Sequence, residues 1–144
     1  MEENYNIIDL IPQREPFVMV DGIIKSTDSL TVTSFIIEES NIFCSNGYFH
    51  EPGLIENIAQ TAAAAAGFER KQKGQDLLTG YIGGIKNLEI YEMPGVGENI
   101  ETSLEVMHSV FNAKIVNGTV KKKDGTLCAS CEMKIFLSEE PEKV

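Results

Sequence analysis

Apolar positions recur in two ways along this chain, and the change between them divides it into three parts. In FVMVDGII (17–24) and LTVTSFIIEE (30–39), Val, Ile, Phe and Thr crowd into short runs, the composition of strands, with Thr27 to Ser29 as the turn between them. In the next part, FHEPGLIENIAQTAAAAAGFER (49–70), Leu54, Ile55, Ile58, Ala59 and Ala62 to Ala66 leave almost no polar face. That pattern predicts a helix that begins near Glu51 or Pro52, ends around Gln72 to Gly74, and is covered nearly all round. The third part returns to strands: LTGYIGGIKNLEIYE, then, after the loop MPGVGE, NIETSLEVMHSVF, NAKIVNGTVKKK and TLCASCEMKIFLSE. Asp124-Gly125 predicts a two-residue hairpin between the last two. Asn117-Gly118 is a rival turn, but pairing across Asp124 gives arms of nearly equal length, so Asn117-Gly118 reads as a bulge. Ahead of all this, YNIIDL (5–10) has room for one helical turn before Pro12.

Two strands, one long helix and four mostly antiparallel strands make an α+β pattern. An alanine-rich helix with no polar face needs a sheet curved around it, and its small side chains let the strands approach closely. One sheet wrapped around one central helix is the hot-dog arrangement. The expected domain spans residues 1–138, followed by an acidic, frayed tail over 139–144.

Composition narrows the function classes. With 144 residues, 42% hydrophobic and 24% charged, the chain suits one soluble domain with a core. No apolar stretch approaches the roughly 20 residues of a membrane span, and MEENYNIIDL carries acid where a signal peptide carries Lys or Arg, so a cytoplasmic location is expected. A formal net charge of −10 speaks against nucleic acid. The three cysteines, Cys44, Cys128 and Cys131, are an odd number, which disfavours a disulfide framework. Cys128 and Cys131 have the C-x-x-C spacing, but on a strand residues three apart face opposite ways, and zinc needs two further ligands. No metal and no cofactor are expected.

The helix raises the chemical question. Glu56, Asn57 and Gln60 stand in its first turns. An ionised carboxylate taken out of water costs several kcal/mol unless it is paired. Glu56 is therefore either solvated at the helix edge, where it favours the dipole, or kept for chemistry. Gln60, four residues on, shares its face and can orient it.

At these residues the chain resembles the hot-dog 3-hydroxyacyl-acyl carrier protein dehydratases, and among them the dehydratase-like proteins of aryl polyene and flexirubin pigment pathways. IPQREPFVMVDGI is similar to that family's L-P-H-R-x-P-F-x-x-V-D segment, and LIENIAQ to its L-I-I-E-A-M-A-Q helix. The resemblance implies a dimer in which a helix glutamate, here Glu56, followed by Gln60, acts with a histidine from the other subunit. The histidine does not map: its G-H-F-P stretch reads G-Y-F-H, with Tyr48 in its place and His50 two residues on. Gln13 replaces the histidine of L-P-H-R, which in the family is not the catalytic one.

Eliminating water from a 3-hydroxyacyl thioester needs a base for the proton beside the carbonyl and an acid for the departing hydroxyl. His50 is the candidate base, because residues two apart on an extended segment face one side. Tyr48 is a poor base, since a phenol titrates near ~10. An ordinary hydrogen-bonded loop histidine is the plainer reading of His50, and His108, within an alternating strand, reads as structural. Backbone N–H groups near Gly53 are the expected holder of the thioester oxygen. Gly83 and Gly84 would let an acyl chain run close to the strand, though a bulge explains them too. Met19, Met93 and Met107 suit an adaptable tunnel or core filling. Arg70, Lys71 and Lys73 form a basic cluster that would dock an acidic carrier protein, or simply complement the helix dipole.

Three functions follow from these residues. The first is a dehydratase acting on carrier-bound 3-hydroxyacyl or polyenoyl chains. The second is a thioesterase on the same fold with Glu56 as base or nucleophile. The third is a non-catalytic subunit that binds acyl carrier protein or pairs with an active dehydratase homologue. A homodimer or higher homo-oligomer is expected, with a heterodimer as the alternative.

Overall fold

The computed structural model describes residues 5–141. A 3-10 turn at Ile7–Asp9 is followed by β1 (Gly22–Ser26), β2 (Leu30–Ile36), two very short strands β3 (Cys44–Ser45) and β4 (Tyr48–Phe49), and the helix α1 (Glu51–Gln72). Then come β5 (Leu78–Ile90), β6 (Asn99–Val110), β7 (Ala113–Lys122) and β8 (Leu127–Pro141). The six long strands form one antiparallel sheet in the order β1-β2-β6-β7-β8-β5, and β3 pairs only with β4. This is the α+β, hot-dog architecture: a sheet laid around a single long helix.

The helix is buried as its composition demands. Gly53, Leu54, Asn57, Ile58, Gln60, Thr61, Ala62, Ala64, Gly67 and Phe68 are all enclosed. Leu54 and Ile58 pack with Met19, Phe35, Phe49, Ile100, Leu104, Val116 and Val120 in the main core. A smaller cluster of Leu10, Ile11, Val18, Val20, Ile23, Ala64 and Phe68 closes the N-terminal segment over the far side. At Gly67 a Cβ would run into the Leu10 carbonyl, so glycine is what lets that segment cross the helix.

Several expectations need correction. Residues 17–21 are not strand, because β1 starts at Gly22; the backbone of Phe17 and Met19 is bonded instead to helix side chains. Asn117-Gly118 is no bulge: both residues pair in register with β6 and β8. Gly118 is there because a Cβ would collide with Ile58 of the helix. The register shift in that region falls between Val120 and Lys121, opposite Leu127 to Ala129. The shift breaks the alternation of β8, so Cys128 and Cys131 are both buried rather than on opposite faces. The Asp124-Gly125 turn is present, with Gly125 at φ 95° and the Asp124 carboxylate accepting from Thr126 N–H at 2.8 Å. The final strand runs to Pro141, past the expected boundary at 138, and residues 142–144 of the expected tail lie outside the described residues.

Candidate active site

The site is assembled by the first turns of α1. His50 precedes the helix in extended conformation, and its carbonyl accepts from Gly53 N–H at 3.0 Å and Leu54 N–H at 3.2 Å. Pro52 in the first turn needs no partner for a missing N–H, which suits a helix start.

One turn on, Gln60 is fully buried and saturated. Its Oε1 accepts from Met19 N–H at 2.6 Å, and its Nε2 donates to Phe17 O at 2.7 Å and to Glu56 Oε1 at 2.8 Å. Gln60 thus ties the PFVM segment to the helix and fixes one oxygen of the half-buried Glu56. Asn57 does the same from the next face. Its Nδ2 donates to Met19 O at 2.7 Å, and its Oδ1 accepts from the Thr102 hydroxyl of β6. Thr61 continues the chain, donating to Asn57 O and meeting Thr33 Oγ1, each at 2.8 Å. The polar residues of this helix turn form one closed network, and Glu56 is its member at the cavity wall.

Glu56 lies where two depressions meet. On one side is a cavity of about 310 Å³, walled by Ala59, Ala62, Ala63 and Ala66 of the helix and by β5 and β8. Leu78, Gly80, Tyr81, Ile82, Ile135 and Leu137 supply the strand side of that wall, and Pro12, Gln13 and Glu56 complete the lining. On the other side an open groove is lined by Phe43, His50, Glu51, Pro52, Ile55 and Glu56. His50 and Glu56 therefore share a groove. His50 Nε2 lies 2.9 Å from Ser45 O. A carbonyl only accepts, so Nε2 carries the proton and the lone pair of the neutral ring is on Nδ1.

Other expected site residues are placed differently. Tyr48 is half-exposed in β4 and pairs with Gly95 through the backbone. Gly53 is enclosed because a Cβ would strike the Phe49 ring, and its N–H already donates to His50 O, so packing accounts for the glycine. Gly83 falls at a register shift in β5, where a Cβ would meet the Phe136 ring. Gly84 has open space around it. Neither the Gly83-Gly84 pair nor any of Met19, Met93 and Met107 is among the residues that line the cavity, and Gly80 is the glycine in its wall. Gly80 stands in no sequence pattern that sets it apart from the more conspicuous Gly83-Gly84 pair, whereas the alanine run is itself a signal that this helix face lines a cavity. In the basic cluster, Lys73 is paired with Glu69 at 3.0 Å and Arg70 donates to Asp76 O at 2.7 Å, while Lys71 is exposed. The helical rise puts Arg70 about 20 Å along α1 from Glu56.

Comparison with known proteins places this geometry. The 3-hydroxyacyl-[acyl-carrier-protein] dehydratase FabZ of Bacillus velezensis is 26% identical over 146 residues, covering 96% of this chain and 100% of that protein. FabZ of Clostridium botulinum strain Okra is 28% identical over 130 residues, covering 86% of this chain and 88% of that protein. Among solved structures, the dehydratase heterocomplex ApeI:P from Xenorhabdus doucetiae superposes with a TM-score of 0.83 at 14% identity, over 95% of this chain and 93% of that one. A hypothetical thioesterase of Streptococcus pneumoniae with coenzyme A superposes with a TM-score of 0.64 at 12% identity, over 84% and 88%. At these identities the structures speak for the hot-dog fold alone. The ApeP-like family model, described as ApeP dehydratase, matches residues 5–144, and the chain belongs to that dehydratase family.

Proposed function

We propose that this protein is a dehydratase that removes water from 3-hydroxyacyl thioesters carried on acyl carrier protein. The observation that carries the reading is the position of Glu56, held by Gln60 at the junction of an alanine-lined cavity and an open groove that also holds His50. An acyl chain fits the apolar cavity, the carrier's arm fits the groove, and the reacting carbons then lie beside Glu56. His50 Nδ1 takes the proton from the carbon next to the thioester carbonyl, while Ser45 O steadies the ring through Nε2–H. The electron pair forms the new carbon–carbon double bond, and the neighbouring hydroxyl leaves as water with a proton from Glu56. The products are an enoyl thioester and water, and both side chains are reset by proton exchange with solvent.

Incubating the protein with a 3-hydroxyacyl chain on its carrier and following product mass tests this. Loss of one water, abolished by Glu56→Gln and by His50→Ala in folded protein, is the expected result. Release of free acid instead would establish a thioesterase. Lys71 is the member of the basic cluster free to meet the carrier, so Lys71→Glu is expected to raise KM for carrier-bound substrate and leave pantetheine-bound substrate unaffected.

A second reading is favoured by Tyr48, which occupies the family's histidine position on the surface, and by the hydrogen bond that occupies one nitrogen of His50. In it the chain contributes Glu56 to a heterodimer whose other subunit, a dehydratase homologue, supplies the histidine. Activity that appears only on adding the homologue, survives His50→Ala and is lost in Glu56→Gln identifies this arrangement.

A further inference from the structure

The lining of the cavity contains one polar group with no hydrogen-bond partner among the described residues. Glu56 is bonded to Gln60, and Gln60 is saturated by Met19, Phe17 and Glu56. Gln13 lines the same cavity, and its Oε1 is fully enclosed without a hydrogen-bond donor. An enclosed acceptor with no donor is unfavourable, and native proteins keep few of them. The rest of Gln13 is held by its surroundings: Pro12 precedes it in the cavity wall, and its own carbonyl accepts from the Arg14 guanidinium at 2.8 Å, which also reaches Ile11 O at 2.8 Å. Fixing the backbone leaves the side-chain amide as the part that can turn.

We propose that Gln13 is the residue by which the cavity distinguishes a 3-hydroxyacyl chain from a plain acyl chain, its amide oxygen turning to accept the hydrogen bond of the substrate's 3-hydroxyl. This rests on the reading of the cavity as the acyl site. A chain lying along the alanine wall with its reacting carbons at Glu56 has its hydroxyl in the cavity that Gln13 also lines. The hydroxyl then donates to Gln13 and accepts from Glu56, so one residue orients the leaving group that the other protonates. A plain acyl chain offers no donor, and the oxygen stays unsatisfied when it binds. That asymmetry is the source of selectivity. Gln13 is a specificity-determining and orienting residue; the proton transfers remain with Glu56 and a histidine.

The test is equilibrium binding of two matched ligands, 3-hydroxyoctanoyl-pantetheine and octanoyl-pantetheine in their unreactive amide forms, followed by titration calorimetry on the intact protein. The wild-type protein is expected to prefer the hydroxylated ligand by on the order of tenfold, the scale of one hydrogen bond. Gln13→Met, similar in length and without the acceptor, is expected to lose that preference, so that the two ligands bind alike. Gln13→His, which restores an acceptor on a different frame, is expected to regain part of it and keeps the test decisive if Gln13→Met fails to fold. A preference that persists in Gln13→Met overturns the assignment. Equal binding of both ligands to the wild type overturns it while leaving the cavity as an acyl site. Binding of neither ligand overturns the acyl-site reading and the Gln13 assignment together.

Discussion

At the scale of single residues, Gln60 makes the most consequential contacts in the molecule. It is buried and bonded to two backbone groups of another segment as well as to Glu56. Replacing it by Leu keeps the volume but leaves the Met19 N–H buried without an acceptor, so Gln60→Leu is expected to lower stability by about 1–3 kcal/mol in urea unfolding. Any dehydratase activity should fall further than stability explains, because Glu56 loses its anchor. The cysteines give a second prediction. Burial pushes the thiols of Cys128 and Cys131 up to about 11 from the usual 9.0. A thiol reagent at pH 8 should therefore modify Cys44, which is partly exposed, and reach the other two only after unfolding. Well below pH 9.0 these thiols are neutral in both the folded and the unfolded state. As pH rises from there towards about 11 the unfolded chain ionises while the fold holds the protons, so stability falls across that window. Glu56 and Gln60 were legible in the sequence because a carboxylate and an amide stand out in an alanine helix. Asn57's link to Thr102 was not, since it joins residues 45 positions apart and neither has a local pattern that points to the other.

At the scale of elements, glycines set how closely the helix is approached, by the sheet on one side and by the N-terminal segment on the other. Gly118 of β7 accepts Ile58, and Gly67 of the helix accepts the Leu10 carbonyl. Alanine at 118 must displace Ile58, so Gly118→Ala is expected to cost about 1–3 kcal/mol. Trimming Ile58 to Val in the same protein should return part of that loss, a coupling measurable as a double-mutant cycle. The helix bounds and the four later strands could be read from periodicity, because each has a sustained apolar pattern and a turn at its end. Residues 17–21 misled because Phe, Val and Met look like a strand whether the backbone pairs with another strand or with helix side chains. The Asn117-Gly118 pair misled for a related reason: its glycine answers to a partner 60 residues away, and turn chemistry has no part in it.

At the scale of the whole molecule, the sheet ends on β5, a strand of 13 residues whose far side has no neighbouring strand among the described residues. Tyr81, Ile82, Ile85 and Leu88 of β5 are exposed, along with Tyr91 just beyond it. A long edge with apolar side chains is one that proteins pair or cover. The protein is expected to sediment as a dimer, with itself or with a homologue, and Ile85→Lys with Leu88→Lys should return it to monomers of unchanged helix content. That surface was anticipated from the sequence only as a need for closure, since an edge strand and an inner strand differ by their neighbours and not by their own residues.

The same β5 supplies Gly80, Tyr81 and Ile82 to the cavity wall. A dimer paired along β5 would have one flank of this cavity at its seam, so that occupancy of one would bear on formation of the other. Ligand affinity should then depend on protein concentration, weakening in dilution series taken below the dimer's dissociation constant, and ligand should shift the monomer–dimer balance towards dimer by the same factor. Sedimentation with and without octanoyl-pantetheine across that range measures both sides of the linkage.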